Sequence, residues 1–275
     1  MDQKFIKLFN GYKAAYGVAD MTHPAAYTEP SGKKKPVYRW NYEPFTDHIY
    51  TDHLKGDKSV GIQPCNENSE VVFGVIDVDP KNYIDFNNKN KKFYIDIIQE
   101  YKLPLIPIES KSGGLHLFLF LKEFISASVI VSFLSNLLPL FELKPDCEIF
   151  PKQTQLTKNN ETGELRPGQF INLPYYKSTE RKALNIDGTP FTLEQFVGVA
   201  EANLVSETDL TTITTSIENK DMEGVDDEFL DGPPCLAKLS TIMKDPNFDG
   251  KDRFMYNYHV FVKLKYQDTW KQKVK

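Results

Sequence analysis

Three stretches of the chain gather residue types that do chemistry in company. The first, VVFGVIDVD at 71–79, closes a β-branched and aromatic run with Asp77 and Asp79, and Pro80 then stops the strand. Alternation along a strand puts both carboxylates on one face and Val78 on the other. Two carboxylates held side by side repel each other unless a cation sits between them, and oxygen-only ligands of this kind suit Mg²⁺ or Mn²⁺. The second, ESKSGGLH at 109–116, has small residues that let backbone approach a ligand; Ser110, Lys111 and Ser112 suit a phosphate chain. His116 opens the next strand and offers an imidazole to a triphosphate. The third, DCEIFPKQ at 146–153, alternates Asp146 and Glu148 onto one face. Either can complete a metal site with the first pair, and Lys152 can neutralise phosphate. Taken singly, each stretch has a plain structural explanation: a turn, a hairpin, a solvated strand face. Their succession, each at a strand end, is what argues for one site.

The elements that must position these residues can be read from hydrophobic period. Phe5, Ile6, Leu8 and Phe9 mark a short amphipathic helix over 2–12. Residues 19–38 are rich in Pro, Gly and Lys and read as a loop. PFTDHIYTDHLKG reads as a helix ended by Gly56. SVGIQP at 59–64 reads as a strand that forms a hairpin with the 71–79 strand. A loop and an amphipathic helix occupy 81–102. Strands at 105–109 and 115–120 form a second hairpin around SKSGG. A helix follows over 126–141, then strands at 147–150 and 169–175, with a polar insertion at 154–167. Thr192 caps a helix over 192–203. The expected class is therefore α/β (α+β), with a mixed, largely antiparallel sheet and flanking helices. Threonines and acids dominate 206–231, which reads as an acidic linker. Residues 232–275 read as a small helical piece around a turn at 246–250. The charged helical end, YQDTWKQKVK, reads as the middle of a longer protein.

Bulk composition narrows the class. With 275 residues, 40% apolar and 26% charged, the chain has an ordinary globular composition. A net charge of −5 supplies no whole-molecule pull toward nucleic acid, although Lys33, Lys34, Lys35 and Arg39 cluster, as do Lys89, Lys91 and Lys92. Cys65, Cys147 and Cys235 form no C-x-x-C pair, so neither zinc nor a disulfide framework is expected. The polar N-terminus does not read as a signal peptide, and no apolar run reaches membrane-spanning length; an intracellular, non-membrane setting is expected.

The order of these motifs carries a resemblance. DxD on a strand, S-x-S-G-G-x-H, an acid before FPKQ, and a strand with NLP together resemble the archaeo-eukaryotic primase superfamily. The likeness is to the primase-polymerases of phages, plasmids and mobile conflict systems, and DHLKGDKSVGIQP at 52–64 is similar to the segment preceding their DxD strand. It covers about residues 37–176. The resemblance implies a catalytic domain over 1–205 built on an RRM-like sheet, with two-metal nucleotidyl transfer. It implies Asp77, Asp79 and Glu148 as ligands of two Mg²⁺ or Mn²⁺ ions, with Asp146 competing for the third place. It implies His116, Ser110, Lys111 and Ser112 on the nucleotide's phosphates, with Lys152, Gln153, Asn172 and Arg39 lining the same pocket. The implied partners are single-stranded DNA, nucleoside triphosphates and a helicase in the same longer chain; a phage-encoded copy would work in a bacterial cytoplasm. The end piece is similar to the small helical domain after phage primase cores, with Arg253 and Asn257 its notable residues. Two other classes fit the same residues: a non-catalytic nucleic-acid-binding module serving a motor, and a metal-dependent nuclease.

Overall fold

The computed structural model describes residues 2–20, 22–28, 32, 34–79, 90–111, 113–160, 163, 165–221, 233, 236–237, 239–240 and 251–273. Lys33, the loop at 81–89 with Lys89, Ser112, Cys235, the linker segment 222–231 and the turn at 246–250 lie outside it, as do the side chains of Lys34, Lys35 and Arg253. Two units are distinguished, Met1–Leu210 and Thr211–Lys275.

The first unit runs α1 (Asp2–Leu8), β1 (Tyr16–Asp20), β2 (Tyr27–Thr28), β3 (Lys34–Lys35), β4 (Val37–Asn41), α2 (Asp47–Lys55), β5 (Val60–Ile62), β6 (Glu70–Val78), α3 (Lys91–Glu100), β7 (Leu105–Glu109), β8 (Leu115–Ser126), α4 (Ala127–Leu137), β9 (Glu148–Phe150), β10 (Ile171–Asn172) and α5 (Leu193–Ala202). One four-stranded sheet has the order β10-β5-β1-β4 and the other β7-β8-β6-β9, while β2 and β3 form a separate two-stranded ribbon. Every ladder among these strands is antiparallel.

Sequence and structure agree at the β7–β8 hairpin, where Glu109 opposes Leu115. They differ at β5. It does not form a hairpin with β6 but lies between β1 and β10 in the other sheet. The Asn66 side chain accepts hydrogen bonds from the Asn68 and Glu70 amides, and this turn sends the chain onward instead of folding it back. The stretch read as a loop over 19–38 holds the end of β1, the β2–β3 ribbon and the start of β4.

Alternation explains the layers. Tyr16, Val60, Ile62 and Ile171 fill the inner face of the first sheet, and Phe73, Val75, Phe118, Phe120 and Phe150 that of the second. Phe9 of α1 stands with its ring 5.4 Å from Phe73, 5.7 Å from Phe118 and 5.3 Å from Phe120. Each such buried side chain stabilises by about 1.5–3 kcal/mol. On the outer face of the second sheet a Cβ at Gly74 would lie 2.6 Å from Ile130, so bare backbone there lets α4 close on β6.

Residues 206–231, read from composition as an acidic linker, include regular structure. Glu207–Asp221 is a helix, α6. Its start is fixed by Ser206 and Asp209, which cap one another: Ser206 donates to the Asp209 carboxylate at 2.8 Å, and the Asp209 amide donates to Ser206 Oγ at 3.3 Å. In the second unit, Phe254, Phe261 and Val262 of a helix at Lys251–Tyr266 form a small core with Leu236 and Ala237. Among the described residues no helix is long and apolar enough to cross a membrane.

Candidate active site

Strand register builds the site. On β6, Asp77 lies opposite His116 of β8 on one side and opposite Glu148 of β9 on the other. Directly opposed residues project to the same face, so imidazole and two carboxylates stand in one row across three strands. The same face further along β6 carries Val75 and Phe73 into the core, which closes off that end of the row. His116 Nε2 is 3.4 Å from Asp77 Oδ1, and both side chains are about 85% covered (14% and 15% exposed). Glu148 Oε2 is 2.7 Å from Lys152 Nζ. Asp146 sits in the exposed turn before β9, outside the row.

The turn between β7 and β8 is drawn onto this row. The Ser110 amide donates to Gly114 O at 3.0 Å, and Gly113 adopts φ +93°, which favours glycine. A Cβ on Gly114 would lie 2.3 Å from the Val78 carbonyl, so only glycine lets the turn press against the end of β6.

A cleft of about 570 Å³ opens here. It is lined by Asp77, Asp79, His116, Ser110 and Lys111 on the second sheet's side, and by Tyr38, Arg39, Trp40, Phe170, Asn172 and Arg181 on the other. The first sheet gives it a floor without bulk. Trp40, Gly17, Gly61 and Asn172 form a row across β4, β1, β5 and β10. A Cβ on either glycine would lie 2.3 Å from the Phe170 ring, which rests on them. The Trp40 ring meets Phe170 edge-on at 5.0 Å, and its indole N–H donates to Gly168 O at 3.0 Å.

Two expected pocket residues lie outside this lining. Lys152 is turned to Glu148, with its Nζ 5.3 Å over the Phe150 ring. Gln153 works behind the wall: its Oε1 accepts from the Gln169 amide at 2.9 Å and from Gln63 Nε2 at 3.2 Å. Gln63, fully buried, also donates to Pro167 O at 2.6 Å. Gly168 has φ +70°, and a Cβ there would lie 2.4 Å from Gln153 Oε1. Arg39 reaches the rim, but its Nε donates to Asp20 Oδ2 at 2.8 Å. The Thr22 hydroxyl, and then Arg39, hold the Asp20 carboxyl well below the usual range.

The donor set for a metal is oxygen-rich: Asp77 and Asp79 in the cleft and Glu148 one strand away, with no thiolate facing them. Cys147 donates instead to the Asp77 carbonyl at 3.3 Å, and burial, followed by the charge of Asp77, pushes its thiol up to about 12. With Asp77 drawn to His116 and Glu148 to Lys152, no three His, Cys, Asp or Glu side chains among the described residues converge on one point. The residue types fit a hard divalent cation, which competes with those two pairings for the same oxygens.

Residues 7–196 match the family described as the archaeo-eukaryotic primase domain of TOTE conflict systems. The chain belongs to this family. Membership points to nucleotidyl transfer as the class of activity, and to nucleic acid and nucleoside triphosphates as ligands. No curated protein matches the sequence. The crystal structure of primase RepB′ aligns with 96% of this chain and 79% of its own at 11% identity and a TM-score of 0.35, too low to carry an argument.

The primase domain also holds a cleft residue that no motif marks, Arg181. Its Nη2 donates to Ser59 Oγ at 3.2 Å and its Cζ lies 5.5 Å from the Tyr176 ring. Its buried Nε has no hydrogen-bond partner, and Glu180, the acid whose charge acts on it most, lies 3.8 Å from Lys177 Nζ. Burial lowers its pKa to about 10. A guanidinium desolvated in this way favours an anion in the cleft. In the sequence it stands in STERKAL, where nothing separates it from surface arginines; Trp40 and Phe170 were equally unmarked.

Proposed function

We propose that this chain is a template-directed nucleotidyltransferase that makes or extends primers on single-stranded DNA. The observation that carries the reading is the His116, Asp77 and Glu148 row at the edge of a cleft whose other cations among the described residues are Arg39, Lys111 and Arg181. Ser110 and Lys111, on a turn pressed against β6, hold the triphosphate with His116. Arg181 meets the phosphates from the opposite wall. Asp77, Asp79 and Glu148 are the residues that would hold Mg²⁺ or Mn²⁺. Held there, such ions would supply Lewis-acid activation of an attacking 3′-hydroxyl and charge neutralisation of the leaving pyrophosphate. The chain's own contribution is positioning and charge compensation in a half-buried cleft, with no covalent enzyme intermediate. Asn172 and the aromatic wall of Tyr38, Trp40 and Phe170 face the sugar and base.

The test is incorporation of labelled ribo- and deoxynucleotides on primed and unprimed single strands with Mg²⁺ or Mn²⁺. Asp77→Asn and Asp79→Asn should each lower the rate by at least about 100-fold with the thermal melt unchanged. Near-wild-type synthesis in both overturns the reading. Degradation of the labelled strand without nucleotides would assign the same residues to a nuclease.

A further inference from the structure

We infer that the β3–β4 edge, with β2 beside it, is the docking edge along which a single-stranded nucleic acid runs into the cleft. The inference rests on the nucleotidyltransferase reading only in taking that strand to be the template. Three independent observations meet there.

The first is charge. Residues 33–39 read KKKPVYR, basic at Lys33, Lys34, Lys35 and Arg39 with no acid, in a chain whose net charge is −5. Arg39 is met by Asp20 at 2.8 Å, so further basic charge along this edge comes from the lysine positions. Lys34 and Lys35 occupy β3, opposite Thr28 and Tyr27 of β2.

The second is exposed aromatic surface. Tyr27 is 59% exposed and Tyr38 48%, unusual for large rings on strands. Both are available as stacking platforms, and every base offers a face to stack whatever its sequence. A duplex hides its base faces and offers such rings nothing, which favours an unpaired strand.

The third is continuity. Pro36 alone separates β3 from β4, and Pro36, Tyr38, Arg39 and Trp40 all line the cleft. Among the described residues β4 is an outer strand of its sheet, with no strand laddered on that side. Phosphates attracted at Lys34 and Lys35 therefore lead bases past Tyr38 toward Asp77 and Asp79.

The experiment is fluorescence anisotropy of the full chain with labelled oligothymidylate and oligouridylate of equal length, and with a duplex, in the absence of nucleotide and metal. For Lys34→Ala/Lys35→Ala, affinity for the single strand should fall about tenfold, and the slope of log affinity against log salt should become shallower by about 1.4, at about 0.7 per lost contact. Tyr38→Ala should weaken binding about tenfold with the salt slope unchanged. The lysine variant should keep the wild-type thermal shift with nucleoside triphosphate and Mn²⁺, which also shows that it folds. Unchanged binding in both variants, no binding by the wild type, or equal binding of the duplex each overturns the inference. A wild type that incorporates no nucleotide, but whose strand binding falls in these variants, keeps the docking edge and removes the polymerase.

Discussion

Two residues separate Glu148 on β9, which faces Asp77, from Asp146 before the strand, which does not. Spacing alone left Asp146 and Glu148 equivalent, because i and i+2 share a face of any strand. Register distinguishes them: β9 begins at Glu148, opposite Asp77, while Asp146 stays in the exposed turn before it. Glu148→Gln is therefore expected to lower single-turnover incorporation by about 100-fold or more, and Asp146→Asn to leave it within about threefold. An equal loss in both would mean that β9 shifts when substrate binds. At this scale the acids, His116 and the serine-lysine turn were legible, since type and spacing mark them. Arg181, Trp40 and Phe170 were not, because what distinguishes them is what they touch across the fold.

The elements that aim these residues depend on a few buried polar contacts. Gln153 and Gln63 hold the backbone at 167–169 that carries Phe170 to the wall. Gln153→Leu removes the acceptor for the Gln169 amide, so KM for nucleotide should rise by about three- to tenfold with a smaller change in kcat, read from steady-state incorporation. An equal fall in kcat with unchanged KM would place Gln153 in the chemistry instead. Behind the first sheet, His53 of α2 is buried, accepting from the Val60 amide at Nδ1 and donating from Nε2 to Pro174 O at 2.9 Å. Burial first, then the charge of Arg181, lowers its pKa to about 4. The fold therefore prefers the neutral ring. This stabilisation is whole above about pH 6.5 and lost as pH falls toward 4, by an amount on the order of 3 kcal/mol. Urea unfolding at pH 7.5 and 5 should show the wild type losing more stability than His53→Gln; equal losses would sink the assignment. Element existence was largely legible, but strand partnership was not. Short strands such as β1, β5 and β10 carry little periodic signal, and which sheet they join is decided by the turn at Asn66 and by the room that Gly17 and Gly61 leave for Phe170. The start of α6 was written in the S-x-x-D of Ser206 and Asp209, a local signal that composition obscured.

At the scale of the molecule, the aromatic core and the cleft fall wholly within Met1–Leu210. The start of α6 is tied to that unit: Val205 bridges to Leu121, and Lys122 pairs with Asp209 at 2.9 Å. A fragment of residues 1–221 is expected to melt in one cooperative transition and to keep the thermal shift with nucleoside triphosphate and Mn²⁺; loss of that shift would make the remaining residues part of the nucleotide site. The two glycines under Phe170 have a practical corollary. Trimming that one ring to alanine would leave a hollow floored by main chain and flanked by Trp40 and Tyr38, a shape matched by nucleotide analogues carrying an added bulky group. With the proposed nucleotidyl transfer in hand, such a pairing of enlarged substrate with pared-down protein would let products made by this primase domain be tagged selectively in an extract.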